Sequence, residues 1–138
     1  RQTLQEAMWE DVGVMRTRAG MERGTTRIAA IAEELLETGV DGSALAFNLT
    51  WHDWLNMASL LDVSKAIALA GLARENSRGA HYREDFPETG SLEESYYTLV
   101  RQHGDQLDVT RAPVAFTIVR PGESILPEDA PETLVAQA

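Results

Sequence analysis

The sequence predicts a mainly α fold: an antiparallel three-helix bundle, spectrin-like and up-down-up, followed by a C-terminal β-hairpin and an extended tail. Three observations predict it. Apolar residues recur at helical spacing in three stretches joined by short connections that carry glycine or aspartate. After Pro87 the chain becomes rich in β-branched and aromatic residues. From Pro121 onward it holds three prolines and several acids, a composition with little internal stability. The expected division is a bundle over residues 1–90 with the hairpin and tail over 91–138 packed on it, one domain overall.

Thr3-Leu4-Gln5-Glu6 reads as a capping box, opening a first helix that Leu4, Ala7, Met8 and Met15 carry to about Arg18. Gly20 and Gly24 are expected to loosen the connection. Ile28, Ile31, Ala32, Leu35 and Leu36 then mark a second helix that stops near Thr38-Gly39, where glycine suits a left-handed end. Asp41-Gly42-Ser43 makes a turn. The most apolar segment follows over about 51–75, with Met57, Leu61, Ala68 and Leu72 on one side and Leu60, Val63, Ile67 and Ala70 on another. A helix apolar on two sides is expected to be central, covered by its siblings or by a further domain. Phe47, Trp51 and Trp54 read as a packing cap at its start. Strands are expected over 95–101 and 107–119 around His103-Gly104-Asp105, with Pro113 at an edge or interrupting the second strand. An isolated hairpin is marginal in water, so this one must pack on something.

Composition excludes several functions. Formal net charge is -10, with twelve basic residues scattered among twenty-two acids, so no nucleic-acid partner and no anionic membrane surface is expected. The absence of cysteine removes thiol nucleophiles, disulfides and cysteine-ligated metal, and fits a reducing cytoplasm. No uninterrupted apolar run approaches the roughly 20 residues that span a bilayer, so no direct membrane insertion is expected. The chain opens on Arg1 without an initiator methionine, which reads as a piece of something larger.

The stretch ENSRGAHYREDFPE, residues 75–88, concentrates the chemistry. His81 with Glu84 or Asp85 could form a base and its orienter, but no cysteine exists and no serine sits in a nucleophile elbow. His52-Asp53 and His81 with Asp85 are partial metal-ligand sets, yet arginines beside His81 repel a cation. There is no Gly-x-Gly-x-x-Gly after a strand and no Walker loop. What the residues suit is docking. Arginine matches a carboxylate with a two-pronged fork, Arg74 and Arg78 fall near a helix C-terminus that favours cations, Gly79 permits a sharp exit and Pro87 fixes the extended segment after it.

These residues also carry a resemblance. ALAGLARENSRGAHYREDFPE is similar to the Ala-x-x-Arg-x-Glu-Ser-Arg-Gly-Ala-His-x-Arg-x-Asp signature in the C-terminal helical domain of the succinate dehydrogenase and fumarate reductase flavoproteins, a family that includes L-aspartate oxidase. LQEAMWEDVGVMR resembles that domain's opening helix, an apolar-Trp segment followed by Gly-apolar-apolar-Arg, and YYTLVRQHGDQLDVTRAPVAF resembles its closing hairpin. Asn76 stands where the family has glutamate. The resemblance implies a parent in which FAD binds an N-terminal domain, a capping domain closes over a small dicarboxylate, and hydride passes between dicarboxylate and flavin. It implies that this piece holds no catalytic, cofactor-binding or metal-binding residue. Its expected partners are its own N-terminal FAD-binding and capping domains and an iron–sulfur subunit. Arg74, Ser77, Arg78, His81, Arg83 and Asp85 are expected to form the docking elbow. The expected location is cytoplasmic, membrane-associated through partner subunits. An L-aspartate oxidase domain, a free-standing helical interaction module and a small histidine-carboxylate metalloenzyme stand as alternatives.

Overall fold

Leu4, Val12, Ile28, Leu61 and Ala68 meet in one buried cluster drawn from three helices, with Met8, Ile31, Ala32, Leu35 and Met57 packed around it. The structure is a computed structural model that describes residues 1–42, 44, 46–104, 106–124 and 126. The helices are α1 (Gln2–Val12), α2 (Arg18–Thr38) and α3 (Leu49–Ala73). Two very short strands, β1 (Met15–Arg16) and β2 (Tyr82–Arg83), pair in parallel with Met15 opposite Tyr82 and Arg16 opposite Arg83. Strands β3 (Tyr96–His103) and β4 (Gln106–Pro113) form the antiparallel hairpin, from Tyr96 opposite Pro113 to His103 opposite Gln106.

Helix boundaries depart from the sequence reading in ways that local physics explains. The capping box at Thr3 does not form: α1 begins at Gln2 without a side-chain cap, and Glu6 instead accepts from the Gln2 amide at 3.0 Å. That helix ends at Val12 rather than near Arg18. Arg16 turns back, its Nε donating to the carbonyls of Val12 and Gly13, and so satisfies the frayed end of α1. Helix α2 begins ten residues earlier than Ile28. Thr17 caps it, its hydroxyl oxygen accepting from the Gly20 amide at 3.0 Å. Gly20 and Gly24 therefore lie inside α2, and both are buried.

The reason for glycine at 24 is contact between helices. A Cβ there would stand 2.8 Å from Val12 Cγ2 and 3.0 Å from Asp11 Cβ, so the Gly24 backbone packs directly on the Val12 and Asp11 side chains of α1. The end of α1 thus meets the start of α2. At the other end of α2, Leu35 O accepts from Trp54 Nε1 near the start of α3 at 3.0 Å. Asn48 caps α3 by accepting from the Trp51 amide at 3.0 Å. Phe47 departs from the expected packing cap: it sits at φ 57° and is 98% exposed, while Trp51 and Trp54 are half-buried.

Helix α3 buries one side, through Leu61, Ser64, Ala68 and Gly71, and leaves Leu55, Leu60, Val63 and Ile67 exposed on the other. By length and composition alone it is long and apolar enough to cross a bilayer. Asp62 and Lys65 interrupt it, which is why no unbroken apolar run marks it in the sequence. The hairpin packs on its C-terminal end: Arg111 donates to Ala73 O at 2.7 Å, and the guanidinium groups of Arg74 and Arg111 lie over the Tyr96 ring, 5.5 and 4.5 Å from its centre. Strand β4 stops at Pro113, which has no amide to extend the ladder, well short of the expected 119. Ser43 of the first turn, Asp105 of the hairpin loop and the tail from 127 onward lie outside the described residues.

Because the Gly24 contact leaves no space for a methyl group, Gly24→Ala is expected to lower stability by about 1–3 kcal/mol, although alanine is the better helix former. Urea unfolding checks it; an unchanged or raised midpoint would mean that the two backbones are free to separate.

Candidate functional site

The side chains expected to make an elbow converge where α3 ends. A helix end leaves carbonyls without partners, and here one guanidinium takes them. Arg83 Nη1 donates to the carbonyls of Gly71, Leu72 and Arg74 at 3.1, 3.3 and 2.8 Å. Its Nε and Nη2 hold both oxygens of Asp85 at 2.7 Å each, a bidentate pair. Arg83 is 0% exposed and its guanidinium stacks on Phe86 at 4.8 Å. Asp85 Oδ2 also accepts from the Arg18 amide at 2.9 Å, in the first turn of α2, where the helix favours a negative charge. One ion pair therefore ties the last turn of α3 to the first turn of α2. A surface pair, Arg18 to Glu75 at 2.8 Å, runs beside it.

Ser77 locks the chain that carries this pair. Its hydroxyl accepts from the Arg83 amide and donates to Phe86 O, both at 2.8 Å, and its own amide donates to Glu88 O at 2.9 Å. Gly79, at φ +56°, makes the tight turn in which the amides and carbonyls of Arg78 and His81 pair with each other. Arg78 then clamps the following segment, donating to Thr89 O, Ser91 O and Ser95 Oγ at 2.8, 2.6 and 2.7 Å. Asn76, the family's glutamate position, is buried and reaches Thr89 O at 3.4 Å with its Nδ2, while its Oδ1 has no partner among the described residues.

His81 faces neither Glu84 nor Asp85. Its Nδ1 accepts from Arg16 Nη1 at 2.6 Å, which assigns the proton of the neutral ring to Nε2, and that nitrogen is buried without a hydrogen bond of normal geometry. Burial pushes the imidazole below its ordinary pKa, and the Arg16 charge adds to this; the Arg74 backbone acts in the opposite sense. Burial also lowers Arg16, with Arg83 as the second cause. The Arg83 guanidinium holds the Asp85 carboxyl well below the usual carboxylate range, and the Arg18 amide helps. The base-and-orienter arrangement read from the sequence is thus not present: Asp85 belongs to Arg83 and His81 to Arg16. Among the described residues no group of three or more His, Asp or Glu could hold a metal ion.

The structure brings all six expected residues to one end of α3 and adds Arg16, Arg18 and Arg111. Arg16 is the arginine of the Gly-apolar-apolar-Arg pattern after α1, a signal visible in the sequence whose partner is not. A second cluster went unread. Asp11, 5% exposed, pairs with Arg23 at 3.0 Å and Arg27 at 2.9 Å, and Arg27 also takes Glu10 at 2.7 Å. It joins α1 to α2 beside the glycine contact.

Two outcomes are expected. Arg83→Ala strands Asp85 and three carbonyls and is expected to cost about 3–5 kcal/mol in urea unfolding; a loss below about 1 kcal/mol would mean that water replaces the guanidinium. His81 binds its proton more weakly folded than unfolded, so its contribution is full above the ordinary value of 6.5 and is lost as pH falls below it. Stability is therefore expected to drop as pH falls below 6.5, and His81→Gln to flatten that slope in urea midpoints. Asp85 adds a separate loss only below its ordinary 3.8.

The family described as the fumarate reductase flavoprotein C-terminus matches residues 1–127. The fumarate reductase flavoprotein subunit of Mycobacterium tuberculosis is 32% identical over 126 residues, 91% of this chain and 22% of that protein. An L-aspartate oxidase of Ralstonia nicotianae is 35% identical over 86 residues, 62% of this chain and 15% of that protein. Among solved structures, the FrdA chain of Escherichia coli quinol fumarate reductase superposes with a TM-score of 0.77 at 25% identity, covering 86% of this chain and 21% of that one. The chain therefore spans about a fifth of the length of such relatives, and it belongs to the family of fumarate reductase and succinate dehydrogenase flavoprotein C-terminal domains.

Proposed function

We propose that this chain is the non-catalytic C-terminal domain of an FAD-dependent dicarboxylate oxidoreductase. In this reading it packs against the parent's own flavin-binding and capping domains and helps to seat an iron–sulfur subunit. The observation that carries the reading is the bare side of α3. Leu55, Leu60, Val63 and Ile67 lie exposed along a helix whose other side is core, and a covering surface from the same polypeptide is what the fifth-of-length match supplies. Under this reading the apolar side meets protein and not lipid. The parent would be cytoplasmic, held at a membrane through its partner subunits.

Among the described residues the glycines at a helix start do not fit a flavin. The place, among the described residues, where a strand runs into a helix with glycines, β1 into α2, turns Gly20 and Gly24 toward α1, where Asp11 and Val12 fill the space that a diphosphate would need. FAD is accordingly assigned to the rest of the parent.

The elbow of Arg74, Ser77, Arg78, His81, Arg83 and Asp85 is proposed as the rigid polar part of the docking face, its shape fixed by the Arg83–Asp85 pair. An up-down-up order of the helices is supported by the contacts of Val12 with Gly24, Leu35 with Trp54, and Met21 with Gly71, each joining the end of one helix to the start of the next or the reverse. The proposed division stays at 1–90 and 91–138, with Arg78 and Arg111 as the ties between the parts. L-aspartate oxidase is a second reading for the parent, favoured by the 35% match to the Ralstonia protein.

The full-length gene product is expected to show flavin absorption bands, and these 138 residues alone none, with turnover on succinate or fumarate; turnover on aspartate instead would select the second reading. A full-length protein purified without flavin, and unable to take it up, would overturn both.

A further inference from the structure

Four of the six elbow side chains have their hydrogen-bonding groups engaged within the chain: Ser77, Arg78, Arg83 and Asp85. Two do not. The Arg74 side chain forms no hydrogen bond or ion pair among the described residues; its Nε is buried without a partner, and its guanidinium lies 5.5 Å from the Tyr96 ring. His81 Nε2 is buried beside the Arg74 backbone without a hydrogen bond of normal geometry. Arg16, bonded to His81 Nδ1 and to the carbonyls of Val12 and Gly13, faces no carboxylate either. Arg16 lies opposite Arg83 in the β1–β2 pairing and bonds His81, and Arg83 Nη1 bonds the Arg74 carbonyl, so these groups share one end of α3. Two nearby acids are taken, Asp85 by Arg83 and Glu75 by Arg18, and Glu84 forms no ion pair with Arg16 or Arg74 among the described residues. Half-buried Arg16 and Arg74 without an anion form a costly knot, and they stand out in a chain of net charge -10.

The rim of the knot says what kind of anion it meets. Val14, Met15 and Tyr82, around the β1–β2 pairing, are 58%, 64% and 40% exposed. A freely dissolved ion gains nothing from such a rim, whereas a protein segment buries it while bringing its charge. About four-fifths of the length of the relatives lies outside this chain. We propose that the two terminal nitrogens of Arg74, beside the Arg16–His81 pair, receive an aspartate or glutamate side chain from the part of the same polypeptide that lies beyond these 138 residues. The inference rests on the reading of the chain as a C-terminal domain and deepens it. The docking contact is a single acid set among apolar residues, accepted by Arg74 in the two-pronged manner that an arginine allows.

The test uses the full-length protein carrying Arg74→Lys, treated with a carbodiimide that joins an amine to an adjacent carboxylate without a spacer. Lys65 is the chain's only native lysine, so the background here is low. Peptide mapping is expected to find the introduced amine coupled to one Asp or Glu outside residues 1–138, and to lose that product when the acid is changed to its amide. Coupling to an acid within the chain, such as Glu75 or Glu84, would overturn the proposal. A second variant covers the case in which lysine is too short to couple. Arg74→Gln is expected to lower the Tm of the 138-residue chain by no more than about 3 °C, since within it only the Tyr96 ring contact is lost, while limited proteolysis releases this domain from the full-length protein at least tenfold faster. Equal effects in the two proteins would overturn it. So would a rise in the Tm of the 138-residue chain with inorganic phosphate that Arg74→Gln abolishes, which would make the knot a site for a free oxyanion. Flavin content, measured on the same full-length samples, keeps failure of the parent reading separate from failure of this one.

Discussion

The tertiary structure hangs on the bidentate pair between Arg83 and Asp85. A fully buried guanidinium is tolerated only when its donors are satisfied and its charge is met. Here one edge answers Asp85 and the other answers the three carbonyls at the end of α3. Those carbonyls need a donor, Asp85 needs a cation, and the first turn of α2 needs an acceptor for the Arg18 amide. One pair supplies all three. The parallel β1–β2 contact, the placement of Arg16 against His81 and the route of residues 84–88 all follow from where Arg83 must sit.

Around that pair, the segment from Ser77 to Ser95 has almost no apolar core of its own and is held by hydrogen bonds to backbone. Ser77 and Arg78 supply most of them, and a short glycine turn between Arg78 and His81 lets both side chains work in opposite directions. Such a segment is rigid without being large. That combination suits a surface whose shape must be kept until another body meets it. The apolar side of α3 makes the same point with different chemistry: a helix apolar all round is stable only when both sides are covered, and the described residues cover one.

The second ion-pair cluster, Asp11 with Arg23 and Arg27, works on a different constraint. Gly24 lets α1 and α2 approach so closely that Asp11 is buried at the crossing, and the two arginines reach across from α2 to meet it. Close packing and charge pairing are coupled here. A side chain at position 24 would push the helices apart and lengthen the same ion pairs.

Helical periodicity, the glycine at the end of α2, the hairpin around Gly104 and the signature near His81 were legible in the sequence because they are local: each depends on residues within about one turn of each other. The Ser-Arg-Gly-Ala-His stretch could be read as structural and as family-specific, and Arg16 was visible as part of a pattern. What the sequence could not determine was pairing. Gly20 and Gly24 look like helix breakers until α1 is seen crossing there, and Thr3 looks like a cap until Gln2 engages Glu6. Asp85 lies four residues after His81 and reads as its orienter. Only the tertiary structure, which places the carbonyl end of α3 and the amide end of α2 on either side of Arg83, gives that carboxylate to the arginine. Hydrogen bonds spanning about 65 residues, such as Arg16 to His81 and Arg18 to Asp85, are set by how the helices pack.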